Sequence, residues 1–382
     1  MSALRIVIGG GGTGGHTVPA LAMLEALRAR VPVDVLWIGS RNGVERRFAL
    51  QNGLSYRWIP TGKLRRYFTV RTLLDLAAIP AGVIAATALI RAFRPHVVFG
   101  TGGYVSVPVV LAGRLNRIPI VIHEQTATAG LATRIAARFA DVIAISFEST
   151  RPLLGATRAT IVHTGLPIRE ELHQGDAERG RQRFGLTAAL PIVYVTGGVL
   201  GAQALNRCLA AALPGLVQSV QIVHQCGPAH INGDLPRLLA LRETLPPALR
   251  ARYVVREFLT DELPDIYAAA DLVIGRAGAS TVGELAALGK PAILIPLPGS
   301  RGDEQTANAR LLSAVGSAVV VPQADVTPER LSELVTTLVA DREALAAMGA
   351  RGKALAVPDA ADRLAALIRA AAESRAVASA PL

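Results

Sequence analysis

Short apolar runs alternate with longer segments of helical periodicity along the chain. Ile6-Val7-Ile8 is the first run, and Val18, Leu21, Ala22, Leu24, Ala26 and Leu27 follow it at helical spacing. Val33–Ile38, Val97–Phe99, Ile118–Ile122 and Asp141–Ile145 read as further strands, with helices over roughly 16–30, 71–93, 106–116 and 129–138 between them. Such alternation predicts an α/β unit with a doubly wound parallel sheet, because parallel neighbours need a crossover long enough to hold a helix. After Gly165-Leu166-Pro167 the pattern restarts with Ile192–Val195, Val220–His224, Tyr253–Val255, Leu272–Ile274 and Ala292–Ile295. The boundary is expected near 165–170. Pro358 opens a last helix carrying Leu364, Leu367, Ile368 and Ala371, and residues 374–382 read as a mobile tail.

The strand ends carry the candidate chemistry. Ile6-Val7-Ile8 runs into Gly9-Gly10-Gly11-Gly12-Thr13-Gly14-Gly15-His16, which satisfies G-x-G-x-x-G at Gly10, Gly12 and Gly15. A glycine loop opening a helix presents bare backbone N–H groups and a positive dipole end, where an anion can dock. Gly100-Thr101-Gly102-Gly103-Tyr104 and His123-Glu124-Gln125 end two more strands, and open α/β sheets bind ligands beyond their carboxyl ends. The second half repeats the device in Thr196-Gly197-Gly198-Val199-Leu200-Gly201-Ala202 and again in Gly275-Arg276-Ala277-Gly278-Ala279-Ser280-Thr281-Val282-Gly283-Glu284. There the N–H groups of Ser280 and Thr281 can approach a diphosphate. Glu284, one turn in, can accept both hydroxyls of a ribose; the plainer reading makes it a partner of the helix dipole. Asp303, Glu304 and Gln305 are of the kind that read sugar hydroxyls.

Composition narrows the classes. At 382 residues two domains are expected, and 51% hydrophobic content with a mean hydropathy of +0.38 excludes disorder. Cys208 and Cys226 have no metal-ligand spacing, and the N-terminus enters a strand with no signal-peptide region, which fits a reducing cytoplasm. The net charge of +11 is uneven: residues 1–165 hold 19 Lys/Arg against 7 Asp/Glu, the remainder 21 against 22. A basic first half seeks an anionic partner. With aromatics at 4% and no basic–aromatic interleaving, nucleic acid is not expected. The apolar run 72–90 is interrupted by Asp75, Pro80 and Gly82 and flanked by Lys63, Arg65, Arg66, Arg71, Arg91 and Arg94. It reads as a helix covering the sheet, with the patch at about 63–94 touching an anionic membrane surface. An ordinary buried helix is the alternative. An oxidoreductase would need an acid at the end of the second strand. The chain has Ile38-Gly39-Ser40-Arg41 there, and although Ser40 and Arg41 suit an NADP phosphate, Glu284 and Asp303–Gln305 have no part in that scheme.

In these residues the chain resembles the MurG-type glycosyltransferases, which join N-acetylglucosamine from UDP-N-acetylglucosamine to the lipid-linked muramyl-pentapeptide of peptidoglycan synthesis. The matching segments are Gly9–His16, Gly102–Ser106, His123–Gln125, Gly197-Gly198 with Gly201-Ala202, Gly278–Glu284, and Asp303 with Gln305–Asn308. The resemblance implies a GT-B fold: two Rossmann-like domains facing across a cleft. The acceptor and membrane-facing domain would be 1–165 with a C-terminal helix at about 358–373, and the UDP-sugar domain 166–357. It implies that Glu284 holds ribose, Ser280, Thr281 and Arg169 the donor phosphates, Gln305 the sugar hydroxyls, and Phe258-Leu259 the uracil, with Ala279 and Glu304 among the substrate contacts. It places Thr13-Gly14-Gly15 against the transferred sugar and the first loop against the undecaprenyl diphosphate of the acceptor. Thr126, Leu166 and Val199 depart from the family's usual Asn, Asn and Ser, although Thr126 and Val199 stay among the expected contacts.

The implied reaction is an in-line displacement at the anomeric carbon by the acceptor's C4 hydroxyl, inverting the donor, at the cytoplasmic face of the membrane. A sugar hydroxyl needs a base, and His16, with a reference pKa of ~6.5, is the first candidate. Glu124 and His123 are the runners-up, and Tyr104 is assigned to position the acceptor. Alternatively His16 donates a hydrogen bond to phosphate. No Asp-x-Asp pair ends a strand, so no cofactor is required and no bound divalent cation is predicted. A UDP-N-acetylglucosamine epimerase, a relative with another lipid acceptor and a membrane-bound sugar-nucleotide sensor are the competing readings.

Overall fold

The computed structural model describes residues 3–12, 14–62 and 70–378. The chain forms two compact units, Met1–Ile168 with Val357–Leu382, and Arg169–Ala356.

The first unit is built on β1 (Leu4–Gly10), β2 (Val33–Gly39), β3 (Ser55–Trp58), β4 (Val97–Gly102), β5 (Ile120–Glu124), β6 (Val142–Ile145) and β7 (Thr160–His163). They pair in parallel in the order β3-β2-β1-β4-β5-β6-β7. Around them lie α1 (Gly14–Arg28), α2 (Val44–Gln51), α3 (Val70–Phe93), α4 (Ser106–Leu115) and α5 (Leu131–Ala136). Side chains along a strand point to alternate faces, and β1 shows the consequence: Ile6 and Ile8 enter one core with Leu24, Trp37 and Phe99, and Val7 enters the other with Ile90, Val98 and Val109. The first core also takes Leu364, Ala365 and Ile368 from the helix Ala360–Ala378, which packs along α1 and is pinned by Arg30–Asp362 at 2.7 Å. Residues 374–378 therefore continue a helix instead of starting a tail, and 379–382 lie outside the described residues.

The edge strands β3 and β7 and the short helix α2 have no counterpart in the periodicity. Only Tyr56 of Ser55-Tyr56-Arg57-Trp58 is buried, so β3 lacks an apolar run. Helix α3 is continuous through Pro80, and Gly82 is a contact point instead of a break. A Cβ there would lie 2.4 Å from the Pro60 carbonyl oxygen. The side chains of 70–77 and residues 63–69 lie outside the description, which removes Lys63, Arg65, Arg66, Arg71 and Asp75 from structural account. Among the described residues no helix is long and apolar enough to cross a membrane.

The second unit holds β8 (Ile192–Thr196), β9 (Gln221–Gln225), β10 (Tyr253–Arg256), β11 (Leu272–Gly275), β12 (Ala292–Leu294) and β13 (Ala318–Val320), in the parallel order β10-β9-β8-β11-β12-β13. Its first helix, α6 (Ala177–Phe184), is capped by the Asp176 carboxylate and ends at Gly185 with φ 66°. Arg179 and Arg183 fix α6 to the buried carboxylate of Asp265. Both sheets reverse strand order beside their first strand, between β1 and β4 and between β8 and β11. At such a switch point the loops diverge and leave a crevice for ligand.

Candidate functional site

In the first unit the switch point brings together the loops after β1, β4 and β5. Gly12 (φ 101°), Gly102 (φ 92°) and Gly103 (φ 75°) hold conformations that side chains resist. A Cβ on Gly103 would lie 2.2 Å from the Gly11 carbonyl oxygen, and one on Gly102 3.0 Å from His16 Nδ1, so the His16 ring sits against bare backbone. The Tyr104 ring lies over Gly12. His16 Nδ1 is 3.0 Å from Gln125 Oε1, and Gln125 Nε2 donates to the Thr101 carbonyl at 2.9 Å. Thr13 falls outside the described residues, Gly14 begins α1, and Gly15 is half-buried in its first turn.

Three expectations change here. The first loop is not wholly bare: the Gly12 N–H donates at 3.0 Å to the buried carboxylate of Glu45, which also accepts from the Ser40 N–H and hydroxyl at 2.8 and 2.6 Å. That acid, unremarked in the sequence, serves the protein's own backbone. His123 is 1% exposed, with Nε2 3.0 Å from Ser146 Oγ and Nδ1 3.3 Å from Gln125 Nε2. Burial, with the charge of His16 adding, pushes its pKa down to about 3, so it stays neutral and has no nitrogen left for substrate. Glu124 is also buried: Oε1 accepts from the Thr126 N–H and hydroxyl at 3.1 and 2.8 Å, and Oε2 from the Gly130 N–H at 3.3 Å. These contacts make Glu124 the brace of a turn, and His123 and Glu124 are withdrawn as bases. Thr126 is tied into the same turn, its single hydroxyl hydrogen shared between Glu124 Oε1 and the Thr128 carbonyl.

In the second unit β11 leads into the helix Ala279–Leu288, whose N-cap, Gly278, has no side chain to satisfy the first-turn N–H groups. Ala279 is buried and Thr281 half-buried. Among the described residues, Ser280 Oγ and Arg169 Nε are buried side-chain atoms without a hydrogen-bond partner. Glu284 is 9% exposed, and its Oε2 accepts from the Tyr267 hydroxyl at 2.9 Å. Burial holds the Glu284 carboxyl above the usual carboxylate range, against the opposing pull of Arg169 and the Tyr267 hydrogen bond. Tyr267 in turn stands edge-on to Tyr194, ring centroids 5.3 Å apart. A buried carboxylate, a nearby guanidinium with a free donor, an orphan hydroxyl and an uncapped helix start form a polar pocket suited to a phosphorylated ligand with vicinal hydroxyls.

Neighbouring loops lean on this start. Gln225 Nε2 donates to the Gly198 carbonyl at 3.3 Å, and its Oε1 accepts the Leu259 N–H at 3.0 Å, joining the second glycine loop to Phe258-Leu259. Phe258 is exposed and Val199 half-exposed, but the Leu259 side chain and N–H are internal, which leaves its carbonyl as the group able to meet a base. Gln305 Oε1 accepts the Leu297 N–H at 2.9 Å, so its amide nitrogen is the end left for a ligand. Glu304 opens the helix Glu304–Ala314 directly after Asp303, which sits at φ 55°. Arg276 donates to the carbonyls of Ile295 and Pro296 at 3.0 and 3.2 Å, and to Gln323 at 2.6 Å. Tyr267, Gln225 and Arg276 were missed from sequence; each is a polar residue inside or ending an apolar run, and that incongruity was the available signal. Among the described residues no group of three or more His, Cys, Asp or Glu side chains could hold a metal ion.

Paired doubly wound sheets, each with glycine loops at its switch point, are the units of the GT-B fold. The chain belongs to glycosyltransferase family 28: that family's N-terminal domain matches residues 6–145 and its C-terminal domain residues 192–364. It is 38% identical over 341 residues to the UDP-N-acetylglucosamine–N-acetylmuramyl-(pentapeptide) pyrophosphoryl-undecaprenol N-acetylglucosamine transferase 2 of Bacillus cereus, covering 89% of this chain and 92% of the relative. The crystal structure of Acinetobacter baumannii MurG is similar with a TM-score of 0.74 and 31% identity, covering 97% of this chain and all of that one. A UDP-GlcNAc 2-epimerase from Neisseria meningitidis, solved bound to UDP-GlcNAc, shares the fold at a TM-score of 0.64 and 12% identity, covering 96% of this chain and all of that one.

Proposed function

We propose that the protein transfers N-acetylglucosamine from UDP-N-acetylglucosamine to the C4 hydroxyl of an undecaprenyl-diphosphate-linked muramyl-pentapeptide, inverting the donor. The observation that carries the reading is the polar pocket at the start of the Ala279–Leu288 helix, in a chain similar over nine-tenths of its length to a transferase of that name. The second unit binds the donor. Glu284 accepts the ribose hydroxyls, Arg169 and the first-turn N–H groups with Ser280 and Thr281 meet the diphosphate, and Gln305 reads the sugar through its amide nitrogen. The departing UDP is stabilised by donors already in place. Ala279, Val199, Phe258, Leu259 and Glu304 complete the walls. The first unit binds the acceptor. Its diphosphate meets the start of α1 at Gly14 and Gly15, Tyr104 orients the acceptor, and His16 takes the proton from its hydroxyl. No step requires a metal.

The test is UDP release by the purified protein from UDP-N-acetylglucosamine with and without the lipid-linked acceptor. Release that depends on acceptor is expected. Acceptor-free conversion of the sugar would replace this reading with an epimerase, and nucleotide binding without either reaction would replace it with a sensor.

The same reading puts the first unit on the cytoplasmic face of the membrane. Pro80, Ala81, Ile84 and Ala88 form an exposed apolar stripe on α3, with Ile84 72% exposed and Leu115, at the end of α4, 69% exposed. The exposed Arg91 and Arg94 follow it, and Arg91 Nε donates to Asn116 at 3.0 Å. An apolar stripe among cations matches an anionic bilayer surface. Arg91→Glu combined with Ile84→Glu is expected to weaken binding to phosphatidylglycerol vesicles in a sedimentation assay. The loss from the charge should be larger at low salt. Binding indifferent to both substitution and salt would remove the membrane role of this face.

A further inference from the structure

We propose that Gln125 is a positioning residue that fixes the tautomer of His16, placing the ring proton on Nδ1 and leaving the Nε2 lone pair to take the acceptor's proton. The inference rests on the reading of His16 as base, although the tautomer itself is argued from geometry alone.

A backbone carbonyl can only accept, so the end of the Gln125 amide that lies 2.9 Å from the Thr101 oxygen is its nitrogen. The other end, Oε1, also only accepts, and it lies 3.0 Å from His16 Nδ1. That nitrogen must carry the hydrogen. A neutral imidazole has one N–H, so Nε2 is left as an acceptor. The second hydrogen on Gln125 Nε2 points to His123 Nδ1 at 3.3 Å, which forces the His123 proton onto Nε2, 3.0 Å from Ser146 Oγ. The chain Ser146–His123–Gln125–His16 thus has one consistent direction.

His123 locks that direction. Charged, it would carry a hydrogen on Nδ1 against the amide hydrogens and would favour a reversed amide. Deep burial keeps it neutral across the working range of pH. Gln125 itself is 1% exposed, so water cannot replace a lost partner and either end turned the wrong way stays unpaired. Gly102 completes the arrangement, because its missing Cβ is what lets the His16 ring lie close enough to be held.

The experiment is nitrogen-detected NMR on the full chain labelled with ¹⁵N-histidine, at alkaline pH, with the His16 signals assigned by their loss in His16→Gln. A protonated Nδ1 and an unprotonated Nε2 are expected; the opposite pattern overturns the proposal. In Gln125→Leu the two His16 nitrogens should move toward a mixture of tautomers. Its kcat should fall several-fold, in proportion to the competent tautomer lost, with both substrate KM values essentially those of the parent. Unchanged kcat and an unchanged tautomer in that variant would also overturn it. If Gln125→Leu does not fold, the parent spectrum still decides. Full turnover by His16→Gln would instead sink the base reading and leave the tautomer to be judged by the spectrum.

Discussion

His16→Ala is expected to lower kcat by about 10²–10⁴-fold, with the donor KM little changed and folding intact. A sugar hydroxyl holds its proton tightly near neutral pH, so without a base in place the attacking oxygen becomes cationic as the bond forms. His16 is suited to relieve that charge. Its ring is half-buried at the first turn of α1, held on one nitrogen by Gln125 and lying on the bare backbone of Gly102 and Gly103. The two side chains that competed for the role are interior and hydrogen-bonded, so neither is ready to replace it. Steady-state UDP release at saturating acceptor measures the effect. A variant that keeps kcat but raises the acceptor KM would show His16 to be a phosphate contact and not the base.

Glu284→Ala should raise the donor KM by about 10²-fold, because charge-assisted hydrogen bonds to hydroxyls contribute about 1.5–3 kcal/mol each and the variant strands the buried Tyr267 hydroxyl as well. The parent enzyme should show the same loss on acidification. Burial raises the Glu284 carboxyl, so it takes up a proton at a pH where an ordinary glutamate is still ionised. Donor affinity therefore falls as the pH drops through that raised value. Tyr267→Phe removes a bond to the charged form, lifting the carboxyl further and moving the fall to higher pH. Isothermal titration with UDP-N-acetylglucosamine over a pH series reads all three proteins. A donor affinity independent of pH and of Glu284→Ala would remove the ribose role.

Much of the fold could be read before the structure because buried parallel strands announce themselves. Ile6-Val7-Ile8 and Leu272–Ile274 are apolar on both faces, and each is closed by glycines that only a tight turn or close approach explains. The edges could not be read so, since β3 and β7 bury too little to leave an apolar signature. At the site, residue type was legible and partnership was not. His123, Glu124 and His16 look equally able to accept a proton in a string of letters; what separates them is that Ser146, Thr126 and Gly130 close around the first two. Glu45 shows the same limit. Six residues beyond the strand end where a dinucleotide fold would keep its acid, it turns back to the protein's own loop.

The last helix imposes an order on synthesis. The core that contains Ile6 and Ile8 is closed by Leu364 and Ile368, and Gly165 has no Cβ where Val357 comes back to meet it. The first unit is thus split in sequence by the whole of the second. On the ribosome, residues 169–356 emerge complete while the earlier sheet still waits for its final cover. The half of the chain made first is the half finished last, and during that interval its apolar face is the surface a chaperone would have to shield.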